Sequence, residues 1–553
     1  MISVSFRRFI ASCVCLLAAF LLFTASSVSD PSLPNFWDTE EDELLATRIV
    51  HSMTDEELLA QILMFGWAGA DPSSEVIAWV EKRSLGSIKV FGWNTDNTVK
   101  VAESVSLLQT RAQKGRFSIP LFVATDQEGG WIRHIKGKTS ETPGNLAIGA
   151  SGMPADAWYS GYYISRELAA LGINLNFAPT VDLYTDHDST VIGPRSFGED
   201  PEAAGVLGAA FMSGSRAAGV LTTAKHFPGH GDTGLDSHGK LPVISISTKT
   251  LYARELVPFT RMIEAGVPAI MSGHLAFPSI TGTGEPATFS TLFLKDILRD
   301  KLGFTGLVIT DDIMMNGATE WAGSVSRAVQ LAIEAGNDIV ESSTTPRFSD
   351  PLWTGTLKRM KTSPAFRSRV VESAHRVLKT KIAYFKGDSS VPVIPNIAEI
   401  PSRVPDPAGQ AFFLSQAVRS VTLIRGTLQP IEDSPHVLIA SSFPSFLHAG
   451  TKRFPQASLS GINSSLRSRA RRARTVIFCL SGKEDLSALE SIRDLDINLI
   501  VVSALSPVPL SRVPWVDTAL AVYSYSPWSF TAAFASLRGD FVPQGTLPLR
   551  DLN

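Results

Sequence analysis

The chain has 553 residues, 44% of them hydrophobic and 19% charged, with a formal net charge of -3. That exceeds one ordinary domain and supplies enough apolar material for a sizeable core. The near-neutral balance excludes a broad electrostatic footprint for nucleic acid, and the one basic cluster, Arg469, Arg471, Arg472 and Arg474, reads as a solvated helix face.

At the N-terminus Arg7-Arg8 precede an apolar run from Phe9 to Phe23, which ends in Thr24-Ala25-Ser26-Ser27-Val28-Ser29. This order predicts an export signal over residues 1–29. The run is short for a stable span, so cleavage is favoured, and any membrane contact would come from this segment left uncleaved. The expected location is the periplasm or cell envelope, or outside the cell. Cys13 and Cys15 fall in the leader and leave Cys479 alone, so neither a disulfide framework nor a paired-cysteine metal site is expected.

Residues 41–64 predict helix, with Thr54 as an N-cap. Short apolar strands then recur at 62–65, 87–91, 121–125, 175–182, 220–224, 269–272, 307–310 and 338–341, with amphipathic stretches between most of them. Strand-helix alternation with continuously apolar strands predicts a parallel sheet covered by helices. Eight units over about 300 residues fit a (β/α)8 barrel, assigned to 30–384 after the leader; an open doubly wound sheet is the alternative. Residues 385–416, with Pro392, Pro395, Pro401 and Pro405, read as an ordered linker. Strands at 422–424, 437–440, 476–480, 499–503 and 519–522 predict a smaller α/β open-sheet domain, an αβα sandwich, over 417–553. No dinucleotide or phosphate-loop glycine pattern occurs, and no cofactor is expected.

The polar residues cluster at the ends of the predicted strands, where a barrel builds its active site. The seventh strand ends in Thr310-Asp311-Asp312, and adjacent side chains on a strand point to opposite sides. Asp311 can thus serve as a nucleophile while its neighbour holds backbone; helix capping is the competing role. The fifth strand leads into Lys225-His226-Phe227-Pro228-Gly229-His230-Gly231-Asp232-Thr233-Gly234-Leu235-Asp236-Ser237-His238, too polar and too broken for a core element. Cleavage of a glycosidic bond needs an attacking group and a proton donor on opposite sides. His238 can be that donor, with Asp236 orienting its imidazole and raising its pKa; an Asx turn with an incidental His238 is the alternative. Asp126, closing the third strand in Asp126-Gln127-Glu128-Gly129-Gly130, can accept two sugar hydroxyls, and Arg195, Lys225 and His226 add donors.

With these motifs in this order, the chain resembles glycoside hydrolase family 3, and within it the β-N-acetylglucosaminidase branch. The likeness is carried by Asp126–Gly130, Asn176-Phe177-Ala178-Pro179 with Asp182, Arg195-Ser196-Phe197-Gly198, the Lys225–His238 loop and Thr310-Asp311-Asp312. It implies retaining hydrolysis of terminal β-linked N-acetylglucosamine from peptidoglycan fragments. Asp311 would be the nucleophile, His238 with Asp236 the acid and base, and Asp126, Arg195, Lys225 and His226 the sugar contacts. After the glycine pair the chain departs from the family pattern with Trp131-Ile132-Arg133-His134, so a sugar-contacting Arg falls on His134. Three alternatives remain: a β-glycosidase for another sugar, a degenerate carbohydrate-binding relative, and a metal-dependent barrel hydrolase using His226, His230, Asp232, Asp236 and His238.

Overall fold

The computed structural model describes residues 33–189, 191–234 and 239–550. Eight short strands, β1 (Leu63–Phe65), β2 (Ser87–Lys89), β3 (Phe122–Thr125), β4 (Leu175–Asn176), β5 (Leu221–Phe227), β6 (Ala269–Ser272), β7 (Leu307–Thr310) and β8 (Val340–Ser342), lie in the order β8-β1-β2-β3-β4-β5-β6-β7. Each pairs in parallel with its neighbours. The ring closes through a parallel bridge between Ile309 and Ile339, with Thr310 N donating to the Ile339 carbonyl at 3.0 Å. The result is a (β/α)8 barrel whose strand side chains are almost all buried, because helices cover the outside and side chains fill the inside.

Local chemistry sets the helix starts. The predicted 41–64 helix is two helices, Asp42–Ser52 and Asp55–Gln61, the second opened by Thr54 and Glu57 in a reciprocal capping box. Asp200 caps Pro201–Ala217, with Pro201 in the first turn, where a missing N–H costs nothing.

Two strand boundaries differ from expectation. β4 ends at Asn176, because Pro179 cannot donate to a ladder; only the Thr180–Lys225 bridge continues the pairing toward Asp182. β5 runs on to Phe227, so Lys225 and His226 lie within the strand and not beyond it. Its register against β6 shifts between Ala224 and Phe227, and this irregularity turns both side chains toward the barrel mouth.

Strands β9 (Thr422–Arg425), β10 (Val437–Ala440), β11 (Ser458–Ser460), β12 (Thr475–Leu480), β13 (Asn498–Ser503) and β14 (Thr518–Ala521) form a second sheet, ordered β9-β14-β13-β12-β10-β11. Only β9 runs antiparallel to its neighbour. Along β12, Ile477 and Cys479 enter one apolar cluster while Val476, Phe478 and Leu480 enter another, so both faces are covered and the domain is an αβα sandwich. The residues read as a linker carry helix Ile400–Arg403 and most of Pro407–Ser420, and Ile400, Val404 and Phe413 bury themselves in the barrel's core. Among the described residues no helix is long and apolar enough to cross a membrane. The expected export signal lies outside the described residues.

Candidate active site

At the C-terminal ends of the barrel strands a cavity of about 250 Å³ is lined by Lys89, Asp126, His134, Arg195, Lys225, His226 and Asp311, among others. Six of the eight residues predicted for the site meet there: Asp126, His134, Arg195, Lys225, His226 and Asp311. The other two, Asp236 and His238, lie outside the described residues.

The floor is a network of paired charges. Lys225 Nζ donates to Asp126 Oδ1 at 2.5 Å and reaches Glu128 Oε1 at 2.7 Å. Arg195 grips Glu128 with two parallel bonds of 2.9 and 2.8 Å, the fork geometry an ammonium cannot supply. Burial pushes the Glu128 carboxyl up, but Arg195 and Lys225 outweigh it and hold the group at about 2. Burial likewise opposes ionisation of Asp126, and Lys225 and Lys89 hold it well below the usual carboxylate range. Glu128 reaches this place because Gly129 and Gly130, with φ of 93° and 60°, reverse the chain into the hairpin Gln127–Gly129/Ile132–Arg133. Gly130 N donates to the Thr142 hydroxyl, and a side chain there would meet Gly144.

One wall hangs on Asp182, whose carboxylate accepts from the backbone N–H groups of His226 and His230 and from His226 Nδ1 at 2.6 Å. That bond fixes the tautomer and points His226 Nε2 toward Arg195 Nη2, 3.4 Å away. The start of the long polar loop is pinned as well. Gly229 N donates to the His226 carbonyl, Asp186 N to the Gly231 carbonyl, and Arg254 to Asp232 at 2.6 Å.

Asp311 and Asp312 follow β7 and both line the cavity, but their carboxylates are engaged differently. Asp312 Oδ1 accepts from Met314 N and Ser343 N, both at 3.0 Å, and so holds the turn that joins the seventh and eighth strand ends. Asp311 faces the cavity, its Oδ1 accepting from Asp312 N at 2.8 Å. Burial disfavours its charge, but His226, His274 and Lys89 together hold it far below the usual carboxylate range. It is therefore an ionised, partly exposed carboxylate at the base of the pocket, as a nucleophile must be.

Two residues escaped the sequence reading, and a third, His230, entered it only as a ligand of the metal-site alternative. Lys89, on β2, sits 3.0 Å from Asp126 Oδ2 and 3.3 Å from Glu341 Oε2; a lysine inside an apolar strand was the available signal. Glu341, on β8, is fully buried. Burial and the neighbouring Asp312, Asp311 and Asp126 outweigh Lys89 and raise its carboxyl well above the usual range. His230 is 3% exposed and lines the cavity, yet neither ring nitrogen has a hydrogen-bond partner among the described residues. Burial pushes it down to about 4, so its neutral ring offers one donor and one acceptor to whatever fills the pocket. His134 is also pushed down to about 4 by burial, against the pull of Asp126 3.5 Å away. Among the described residues no group of three or more His, Cys, Asp or Glu is arranged to hold a metal ion. His226 and Asp232, two residues of the metal-site alternative, are engaged by Asp182 and Arg254.

A barrel with a carboxylate held toward its ionised form in a small pocket of paired charges defines a glycoside hydrolase. Residues 53–380 match the family model described as glycosyl hydrolase family 3 N terminal domain, and the chain belongs to that family. It is 35% identical over 280 residues to beta-hexosaminidase A of Pseudoalteromonas piscicida, a match covering 48% of this chain and 47% of that one, about half the relative's length. It is 33% identical over 285 residues to a beta-hexosaminidase of Xylella fastidiosa (strain M23), covering 50% and 82% of the two chains. A solved glycoside hydrolase family 3 beta-N-acetylglucosaminidase from Paenibacillus sp. str. FPU-7 superposes with a TM-score of 0.82 at 27% identity, over 90% of this chain and 99% of that one.

Proposed function

We propose that this hydrolase removes terminal β-linked N-acetylglucosamine with retention of configuration. The observation that carries the reading is the ionised Asp311 facing a pocket whose floor is Asp126, Lys225, Arg195 and His226. A pyranose seated on that floor places its hydroxyls against paired carboxylates and cations, and its anomeric carbon toward Asp311. Asp311 attacks that carbon as the bond to the leaving oxygen breaks, and His238 passes its proton to that oxygen. Water then attacks the same carbon, His238 takes the water's proton, and the carboxylate of Asp311 departs. Asp236 would orient His238 through this cycle, and His134 would meet the sugar beside Asp126. The names of the Pseudoalteromonas, Xylella and Paenibacillus relatives support the choice of sugar. We extend the reading to an exported enzyme acting on peptidoglycan fragments, supported by the leader-like residues 1–29 and by the motif resemblance.

Turnover of a panel of aryl β-glycosides tests this. The wild type should prefer the N-acetylglucosaminide, and Asp311→Ala should lose activity by about a thousandfold or more. His238→Ala should recover in part with an activated leaving group. A normally active Asp311→Ala overturns the assignment.

A further inference from the structure

The wall of the cavity also holds an aromatic side chain that the chemistry above does not use. Trp93 stands there beside Phe91, Ile132 and His134 and keeps 57% of its surface exposed, whereas the charged floor is buried. The indole is nonetheless held still. Asn94 closes its turn, accepting from Phe91 N at 2.8 Å and donating to the carbonyls of Trp67 and Gly69, each at 2.9 Å. Trp93 Nε1 donates to the Trp67 carbonyl at 3.2 Å. One face of the ring stacks on Phe91, with centroids 4.1 Å apart and planes 9° apart. What remains uncovered is the opposite face, flat, apolar and fixed at the rim.

We propose that Trp93 is the stacking platform for the leaving-group sugar, the pyranose joined through the scissile oxygen to the terminal residue; this rests on the glycosidase reading of the site. A β-linked gluco-configured ring carries its hydroxyls around its edge and leaves C–H faces that cover an aromatic surface well. The charged floor suits the hydroxyl edge of a terminal sugar, and Trp93 offers no charge. Its exposure places it where the next ring emerges from the pocket, and its rigidity means that little conformational freedom is lost when that ring docks. Trp93 therefore favours substrates whose leaving group is itself a sugar.

The test compares kcat/KM for N,N′-diacetylchitobiose with that for methyl N-acetyl-β-glucosaminide in the wild type, Trp93→Ala and Trp93→Phe, with Tm recorded for each. The disaccharide-to-methyl ratio should fall about tenfold in Trp93→Ala, the effect of removing one side chain's apolar contact, mainly through KM. Trp93→Phe, which keeps a ring but loses the bond to Trp67, should retain most of the ratio. An unchanged ratio in Trp93→Ala overturns the platform. So does a Phe variant as impaired as the Ala variant, which would assign the effect to the Trp67 bond. If Trp93→Ala fails to fold, Trp93→Gln, which also lacks a ring, takes its place and should show the same fall, and an unchanged ratio there overturns the platform. A wild type inactive on both substrates overturns the glycosidase reading itself, and this proposal with it.

Discussion

Lys89 brings a third cation to the pocket, behind Lys225 and Arg195, and its positive charge adds to that of Lys225 at Asp126 and to the pull of His226 and His274 at Asp311 in favouring the ionised carboxylates. Burial opposes its charge, but Asp126 and the other nearby carboxylates keep it protonated. Lys89→Met should lower kcat/KM by about a hundredfold and move the acid limb of the pH profile upward, as both carboxylates lose a stabilising charge. Glu341 is pushed the opposite way, because burial and the neighbouring Asp312, Asp311 and Asp126 favour its protonated form. Glu341→Gln, the isostere of the protonated form, should leave Tm almost unchanged, whereas loss of an ionised partner from Lys89 would cost about 3 kcal/mol. Thermal unfolding of the two variants separates these cases. Two imidazoles at the pocket, the half-buried His134 and the buried His230, are both pushed down to about 4 from an ordinary 6.5. As pH falls through that window the unfolded chain takes up protons before the folded one does, so stability drops. Urea unfolding between about pH 7 and about pH 4.5 should show this loss, with a shallower slope in His230→Gln, which cannot titrate.

At the scale of elements, the barrel was legible because a buried parallel strand is apolar throughout, and such strands alternate there with amphipathic stretches. Asp126 and Asp311 were legible for a related reason: a carboxylate directly after such a strand is conspicuous. Lys89 and Glu341 were not, because each sits inside a strand read as core, and only three-dimensional closure brings β2 and β8 around to face Asp126. The extension of β5 through Lys225 and His226 was hidden by their polarity, since a strand was expected to end where apolar residues end. Arg195 shows what joins elements here. It ties the short Gly193–Arg195 turn to the hairpin after β3 through Glu128. Arg195→Lys keeps the charge and loses the fork, so it should cost about 2 kcal/mol in denaturant unfolding and raise KM as the hairpin loosens.

On the scale of the whole molecule, the second domain buttresses the segment that carries Arg195. Lys483 Nζ meets Asp188 Oδ1 at 2.5 Å, Arg512 joins it at 3.3 Å, and the Tyr184 and Ser506 hydroxyls lie 2.9 Å apart. Glu199 N donates to the Pro548 carbonyl, and Arg550 N returns a bond to the Glu199 carboxylate. Among the described residues no side chain of that domain lines the cavity, so these contacts act on placement. Asp188→Ala removes exposed ion pairs worth little to stability; it should raise KM severalfold while Tm stays put. A chain ended after Phe385 is a harsher test, because it strips Ile400, Val404 and Phe413 from the barrel core. It should aggregate or melt well below the full chain, as size-exclusion chromatography and thermal unfolding would report.

If Asp311 is the nucleophile, it forms a covalent bond to the sugar. The direct measurement is mass spectrometry of the wild type after brief exposure to a 5-fluoro N-acetylglucosaminyl fluoride, which slows breakdown of such an adduct, followed by peptide mapping. One added sugar is expected, carried by the peptide containing Asp311. Turnover with no adduct and release of the inverted anomer, or an adduct on another side chain, would contradict it.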